Sequence, residues 1–212
     1  DLKPLEVDLQ NFKDALSVSE STDAFMNAAS PGVIAQFQPN QHYPDHSSYL
    51  YALADAMKVE YEGIAEAGLV IQIDSPDLAL GRHVLFKDQS DEEFVTMAEL
   101  HIEALNHALQ NIPAEQLRLH VCWGNYQGPH HCDIEMKKIL PAVLKAKPMA
   151  LSFEGANPRH SHEWSVFRDA KIPENKVLIP GVLDSTTNFV EHPELVAERI
   201  CRFADIVGRE RV

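Results

Sequence analysis

The chain has 212 residues, of which 45% are hydrophobic and 24% are charged. This length and this balance fit one folded domain with a sizeable core and exclude disorder of the whole chain. The 32 acidic and 18 basic residues give a formal net charge of −14, which would repel the phosphate backbone of a nucleic acid.

The segments that direct proteins to membranes or out of the cell have no counterpart in this sequence. No apolar run approaches the roughly 20 residues needed to cross a bilayer, and the N-terminus lacks the basic-then-apolar pattern of a secretion signal. The three cysteines, Cys122, Cys132 and Cys201, are too few and too unevenly spaced for a disulfide framework. We therefore expect a cytoplasmic protein without a membrane or nucleic-acid partner.

After an N-terminal segment of residues 1–30, short apolar strands alternate with longer stretches of helical periodicity. The predicted strands are Val33 to Gln38, Leu69 to Asp74, Leu117 to Trp123, Met149 to Glu154 and Val177 to Asp184. Because each is followed by a predicted helix, the pattern indicates βαβ units and a parallel sheet.

Two of the predicted helices have well-defined ends. Ser90 and Glu93 form a capping-box pattern at the start of a helix that Pro113 ends. The last helix ends at Gly208, a typical C-terminal cap. Cys201 is expected on the apolar side of that helix as a small buried residue. The apolar stripe of the last helix consists of Leu195, Val196, Ile200, Phe203 and Ile206.

The two faces of the predicted strands favour one α/β architecture over another. Residues two apart point to the same side of a sheet, and in the three middle strands one side is apolar while the other becomes polar toward the C-terminal end. A (β/α)8 barrel of the TIM type has this pattern, because its outer face packs on helices and its polar strand ends line the active-site mouth. An open doubly wound sheet would have two apolar faces.

Residues 31–212 are therefore predicted to form the C-terminal portion of a (β/α)8 barrel. Five strand–helix units are recognisable, and Arg211–Val212 resembles the start of another strand. A complete barrel of this kind usually needs about 250 residues, so we expect the barrel to be incomplete in this chain.

A candidate metal site lies at the ends of two neighbouring predicted strands. His120 and Cys122 share one face, and an imidazole and a thiolate are both ligands of zinc. Taken alone, a His-x-Cys pair is more often structural than metal-binding. Glu154 ends the next strand on the same face and is a third candidate ligand.

Several segments resemble the catalytic barrel of cobalamin-independent methionine synthases. His120-Val121-Cys122-Trp123 is similar to the family's His-x-Cys zinc motif, and Leu151-Ser152-Phe153-Glu154 to the strand that supplies its glutamate ligand. Gln72-Ile73-Asp74 resembles a Gln-Ile-Asp strand, and Pro180-Gly181-Val182-Leu183-Asp184 a Pro-Gly-Val-x-Asp segment. The order and spacing of the four segments also agree with the family.

The resemblance implies a zinc-dependent methyltransferase of methionine biosynthesis. The zinc would be bound by His120, Cys122, Glu154 and a second cysteine, for which this sequence has no matching position. The thiol would be homocysteine and the donor 5-methyltetrahydrofolate, and Asp74 would bind the amino group of homocysteine. Gln72 and Ser75, beside Asp74, are further predicted substrate contacts.

The loop from Gly124 to Cys132 follows the candidate ligands and is predicted to lie over the barrel mouth, where Asn125 and Tyr126 would contact substrate. His130 is the predicted proton donor, because Ser185-Thr186 stand where the family has a histidine. Asp184 is a second predicted catalytic residue, although it could equally cap the next turn.

The remaining histidines of the strand-to-helix loops are expected to be mostly solvated or capping residues, although one of them could contact substrate. They are His42, His46, His160 and His162.

Three other functions stay open at this point. Related zinc alkyltransferases use other thiols and donors, including an epoxide opened by a coenzyme thiol. A metal-free barrel related to uroporphyrinogen decarboxylases has less support, because a tetraacidic porphyrin calls for clustered arginines and the predicted mouth offers chiefly Arg82 and Arg159. The third is a non-catalytic binding protein formed by part of a barrel. The oligomeric state is also open.

Overall fold

The computed structural model describes residues 2–212. Across this range, parallel strands lie side by side in their sequence order. They are β1 (Phe25–Ala29), β2 (Val70–Asp74), β3 (Leu117–Val121), β4 (Ala150–Glu154) and β5 (Val177–Gly181). A helix or a turn with a helix follows each strand, which is the α/β repeat of a (β/α)8 barrel.

Eight α-helices occur in the same residues. They are α1 (Lys3–Ser17), α2 (Pro31–Phe37), α3 (His46–Glu66), α4 (Leu80–Val84), α5 (Asp91–Ala108), α6 (Met136–Val143), α7 (Trp164–Asp169) and α8 (Pro193–Val207). Short 3₁₀ turns cover Pro76–Leu78, Ala114–Gln116, Ser161–Glu163 and Arg209–Arg211. No helix of residues 2–212 has the length and apolar character that spanning a membrane requires.

The first strand is not where the sequence predicted it. Residues 33–38 were expected to form a strand, but Pro31–Phe37 is helix α2 and the strand is Phe25–Ala29. Ser30 caps α2 by accepting a hydrogen bond from the Val33 N–H at 3.0 Å, and Pro31 occupies the first turn. A short apolar run fits a strand and a buried helix equally well, so the prediction for residues 33–38 was wrong.

The predicted faces of the middle strands are confirmed. Ile71 and Ile73 of β2, Leu119 of β3, and Leu151 and Phe153 of β4 are all buried. The polar residues between them are only partly buried. Those at the C-terminal ends of the three strands are Asp74, His120 and Glu154, which have ionisable side chains. The parallel register places Asp74 beside His120, so polar groups of different strands meet at one edge of the sheet.

The capping box of α5 is confirmed. The Ser90 hydroxyl accepts the Glu93 N–H at 3.2 Å, and Glu93 Oε2 accepts the Ser90 N–H at 2.8 Å. Helix α8 ends at Gly208 with φ of 88°, as the sequence predicts, because only glycine adopts this backbone region without strain.

Two predictions near the C-terminus were wrong. Cys201 is exposed rather than buried, because it lies two residues before the buried Phe203 and therefore about 200° around the helix from it. Arg211 lies in a 3₁₀ turn rather than at the start of a strand. Its guanidinium donates to the Val207 and Pro173 carbonyls at 2.8 and 2.9 Å, which holds this turn against the end of α8.

Candidate active site

A cavity of about 230 Å³ opens at the C-terminal ends of β3, β4 and β5. This is the edge of the sheet at which barrel enzymes carry their active sites. The cavity is lined by His120, Cys122, Asn125, Ser152, Phe153, Glu154, Gly155, Ala156, Asn157, Gly181, Leu183, Asp184, Ser185 and Thr186. All three predicted metal ligands therefore lie in its wall, together with the predicted residues Asn125 and Asp184.

Cys122 and Glu154 contact each other across the ends of β3 and β4. The Cys122 thiol donates to Glu154 Oε1 at 3.7 Å, and the Gly124 N–H donates to the sulfur at 3.1 Å. Burial and the nearby carboxylates of Glu154 and Asp74 raise the pKa of the Cys122 thiol to about 11, although the hydrogen bond from Gly124 opposes the shift. Without a metal, the thiol is therefore protonated at neutral pH.

His120 is oriented by Asp74. The Nδ1 atom of His120 lies 2.7 Å from Asp74 Oδ1, and the two side chains are 30% and 49% exposed. The Asp74 carboxylate contacts Nδ1 and does not contact Nε2, the other nitrogen of the ring. A carboxylate on one ring nitrogen is the usual support for a histidine that binds a metal through the other.

The three predicted ligands are residue types that bind zinc, but they are not close enough together to coordinate one ion. Within residues 2–212, no group of three His, Cys, Asp or Glu side chains is close enough to hold a metal ion. The Cys122 sulfur and the Glu154 carboxylate do fit, because ligands of one tetrahedral zinc lie about 3.6 Å apart for typical Zn–S and Zn–O lengths, and these atoms are 3.7 Å apart.

Glu154 and Asp184 are the carboxylates of the cavity wall. Glu154 Oε2 accepts a hydrogen bond from the Asn157 side chain. Asp184 Oδ1 accepts from the Thr186 N–H at 2.9 Å and from its hydroxyl at 2.6 Å. Burial acts to raise the pKa of Asp184, but these hydrogen bonds and the charges of Arg159 and Arg199 lower it overall. Asp184 therefore both lines the cavity and caps the following turn.

The predicted substrate contacts divide into two groups. Asn125 lines the cavity, and its side chain donates to the Ser185 hydroxyl at 3.2 Å. Asp74, Gln72, Ser75 and Tyr126 are not in the wall. Ser75 is fully buried, and its hydroxyl has no hydrogen-bond partner among the described residues. The Tyr126 hydroxyl lies 2.6 Å from His83 Nε2 and 3.0 Å from the Pro129 carbonyl.

His130, the predicted proton donor, is not part of the cavity wall. Its side chain is 5% exposed, its Nδ1 lies 2.7 Å from Asp133 Oδ2, and its ring stacks on Tyr126 at 4.4 Å between centroids. Proton donation by His130 to a ligand in the cavity would therefore require the loop from Gly124 to Cys132 to move.

A second group of polar residues, which we call the buried histidine cluster, consists of His130, Asp133, His160 and Glu163. Asp133 Oδ2 is hydrogen-bonded to His160 Nε2 at 3.0 Å, and His160 Nδ1 to Glu163 Oε2 at 2.9 Å. Burial alone would lower the pKa of His160, but the hydrogen bonds and charges of Asp133 and Glu163 raise it to about 9. The His160 ring also stacks on Trp123, at 4.2 Å.

The sequence did not reveal this cluster. His160 was grouped with histidines expected to be mostly solvated or capping, yet it is 6% exposed. The available signal was the spacing of three residues between His130 and Asp133 and between His160 and Glu163. That spacing cannot show that two separate loops meet.

Comparison with known proteins gives a consistent family. Residues 31–212 match the family model described as "Cobalamin-independent synthase, Catalytic domain". A methionine synthase of Saccharolobus solfataricus is 28% identical over 215 residues, which cover 99% of this chain and 55% of the relative. A methionine synthase of Saccharolobus islandicus strain L.S.2.15 is 27% identical, with 95% of this chain and 53% of the relative covered.

A solved structure extends the comparison to the fold. The structure of a B12-independent methionine synthase from Shewanella sp. W3-18-1 in complex with selenomethionine has a TM-score of 0.71 to this chain, at 16% identity, and the match covers 96% of this chain and 57% of that one. At this identity the likeness concerns the fold alone. The chain spans about half the length of the curated relatives it matches.

Proposed function

This chain belongs to the family of cobalamin-independent synthase catalytic domains, and from that membership we propose that it carries the thiol-activating part of a zinc-dependent methyltransferase. The proposed acceptor is homocysteine, because the relatives are methionine synthases. The observation that carries the proposal is the contact between the Cys122 thiol and Glu154 in the wall of the cavity. The free cysteines of this chain suit a reducing compartment such as the cytoplasm.

His120, Cys122 and Glu154 are the proposed zinc ligands. Imidazole, thiolate and carboxylate form a ligand set that zinc accepts, and three protein ligands leave a position open for a substrate. When bound, zinc deprotonates a thiol and holds it as a nucleophile at neutral pH. Asp74 fixes one tautomer of His120 through the 2.7 Å contact and so presents the other nitrogen to the metal.

Asp74, which contacts the wall residue His120, and two glycines of the wall are the residues proposed to shape the substrate position. Asp74 is half exposed, so its second oxygen is available to the amino group of homocysteine while the first holds His120. Gly155 and Gly181 lie close together at the ends of β4 and β5, where a side chain on Gly155 would come within 3.0 Å of the Gly181 carbonyl. A side chain at Gly155 would therefore crowd the Gly181 carbonyl at the end of β5. The homocysteine thiolate would then attack the methyl carbon of the donor, so that a new S–C bond forms while the bond from that carbon to the donor breaks and its electron pair leaves with the demethylated donor.

The experiment is a zinc measurement on three proteins: the chain as it is, Cys122→Ala and Cys201→Ala. Cys201 is the matched control, because it is a cysteine exposed on α8, outside the cavity. We expect about one zinc per chain in the unchanged protein and in Cys201→Ala, and loss of that zinc in Cys122→Ala, by elemental analysis after dialysis. Absence of zinc from the unchanged protein, or equal zinc in Cys122→Ala, would contradict the proposal.

A second measurement tests the thiol. Homocysteine added to the zinc-loaded protein should release a proton near pH 7, because coordination converts the thiol to a thiolate. The same addition to Cys122→Ala should release none. Proton release of equal size in both proteins would show that homocysteine is not activated at this cavity.

A further inference from the structure

We propose that His46 and His101 form a pH-sensitive latch, which holds the start of α3 against α5 while the two rings share a hydrogen bond and opens when both rings are protonated. The Nε2 atoms of the two rings are 3.0 Å apart, and the ring centroids are 5.2 Å apart. Neither ring lines the cavity at the ends of β3, β4 and β5. The latch is therefore separate from the proposed zinc site.

The His101 side of the latch is fixed by a buried carboxylate. Asp77, in the 3₁₀ turn after β2, is 2% exposed, and its Oδ2 lies 2.8 Å from Nδ1 of His101, which is 4% exposed. Asp77 Oδ1 accepts a hydrogen bond from the Ser30 hydroxyl at 2.7 Å. An ionised carboxylate only accepts hydrogen bonds, so Nδ1 of His101 carries a hydrogen and Nε2 is the nitrogen that meets His46.

The helices around this pair leave space for it at one glycine. A side chain at Gly32 of α2 would come within 2.0 Å of Asp77 Oδ2 and 2.5 Å of His101 Nδ1. Helices α2, α3 and α5 all pack on one another. The fold therefore accommodates the Asp77–His101 contact because residue 32 has no side chain.

The hydrogens on the two facing nitrogens explain why the contact responds to pH. A neutral imidazole carries a hydrogen on one ring nitrogen and a lone pair on the other, whereas a protonated ring carries a hydrogen on both. When both rings are neutral, His46 donates to the lone pair of His101, and when one ring is protonated, it donates to the neutral ring. When both are protonated, two N–H groups and two positive charges face each other, and the hydrogen bond is lost.

The charged groups around the latch act on His46 in opposite directions. Burial and the neighbouring His101 lower the pKa of His46 from its ordinary 6.5, and the Asp45 carboxylate, which caps α3, opposes this shift. Asp77 faces His101 from the turn after β2, with Tyr61 of α3 nearby, and α2 has no ionisable side chain. The residues one helical turn from His101 on α5 are all apolar: Met97, Ala98, Ala104 and Leu105.

Opening of the latch would release the first turns of α3 together with the segment that precedes them. His46 is the first residue of α3. Residues 38–45 connect α2 to this helix, and the Tyr49 hydroxyl holds the segment to the helix by donating to the Gln38 carbonyl at 2.9 Å. Protonation of facing histidines is a general way to switch the packing of such an element.

The latch is tested first in the unchanged full chain. NMR titration with ¹⁵N-labelled histidine follows the two rings, and hydrogen exchange follows the amides in the first turns of α3. We expect these amides, after correction for the intrinsic exchange rate, to lose protection at least about threefold between about pH 7 and 5.5 as His46 becomes protonated, while those of α8 do not. Full protection at the start of α3 with both rings protonated would overturn the proposal.

His46→Gln is the test variant, because the glutamine amide can still donate to His101 but does not titrate. The unfolded chain binds the second proton that the closed latch excludes, so the stability from the latch is lost as the pH falls below 6.5. Between about pH 7 and 5.5, we expect the unfolding equilibrium constant in urea to rise at least about threefold more in the unchanged protein than in His46→Gln.

His42→Gln is the matched control, because it removes a histidine from the exposed segment just before α3. This variant should keep the pH dependence of the unchanged protein. His160, whose pKa is about 9, stays protonated over this interval and does not contribute to the difference. Equal pH dependence in the unchanged protein and in His46→Gln, or the same change from His42→Gln, would overturn the latch. The zinc measurement tests the proposed function separately.

Discussion

The candidate active site and the buried histidine cluster use the same types of residue for opposite purposes. In the cluster, His160 lies between Asp133 and Glu163, and these side chains are between 6% and 9% exposed. In the active site, His120 and Asp74 are 30% and 49% exposed. The Cys122 thiol meets a carboxylate, which does not stabilise a thiolate.

The difference shows that the partner of a buried titratable group, together with its burial, indicates what the group does. A cation between two carboxylates has partners of opposite charge, and it stabilises the folded state as long as it keeps its proton. A carboxylate beside a thiol disfavours the thiolate, because both groups would then be negative. A metal ion between them would stabilise both negative charges and take the two groups as ligands. The first arrangement holds loops together, and the second is suited to chemistry.

The largest effect that tests this contrast is expected from His160→Phe. The aromatic ring keeps the stacking on Trp123, but Asp133 and Glu163 lose the cation between them. Breaking a buried ion pair on one side costs about 3–5 kcal/mol, measured as the free energy of unfolding in urea. His162→Phe, on the exposed side of the same turn, is the control and should change it by about 0.5 kcal/mol or less. Equal effects of the two substitutions would remove the structural role of His160.

The pH dependence of stability is the next test. The pKa of His160 is raised from its ordinary 6.5 to about 9 in the folded protein. Its contribution to stability is therefore fully present below pH 6.5 and is lost as the pH rises from 6.5 to about 9. The urea midpoint of the unchanged protein should fall over this window more steeply than that of His160→Phe. Parallel curves for the two proteins would show that His160 does not hold a proton there.

The smallest effect is expected at the active site itself. In the metal-free protein, Cys122→Ala removes two weak hydrogen bonds of the sulfur, one to Glu154 and one from the Gly124 N–H, and should lower the free energy of unfolding by about 1 kcal/mol or less. Val121→Ala is the matched control on the other face of the same strand, where Val121 is fully buried, and should cost about 2 kcal/mol or more. If Cys122→Ala proved the more costly substitution, Cys122 would be a packing residue and not a preserved functional group.

Much of the site could be predicted because strand parity is a local property. The alternation of Leu119 and Val121 with His120 and Cys122 fixes which residues share a face of β3, and the same rule places Glu154 on β4. The capping box at Ser90 and the end of α8 at Gly208 are local in the same way. The prediction of the first strand was wrong because the apolar run after Ser30 fits both a strand and a buried helix. The Ser30 cap, Pro31 in the first turn and packing against α3 and α5 together favour the helix.

The sequence by itself determined the βα alternation, the inner and outer faces of the middle strands, and the set of side chains from which a zinc site is proposed. These follow from backbone geometry over a few residues. Only the tertiary structure decided that Asp74 meets His120, that His130 contacts Asp133 outside the cavity wall, and that His160 is buried between two carboxylates. The Asp74–His120 and Asp133–His160 contacts join residues that are distant in the chain and depend on strand register and loop packing, which no local pattern encodes. The pairs His130–Asp133 and His160–Glu163 are local in the chain, but their burial depends on how the two loops pack together.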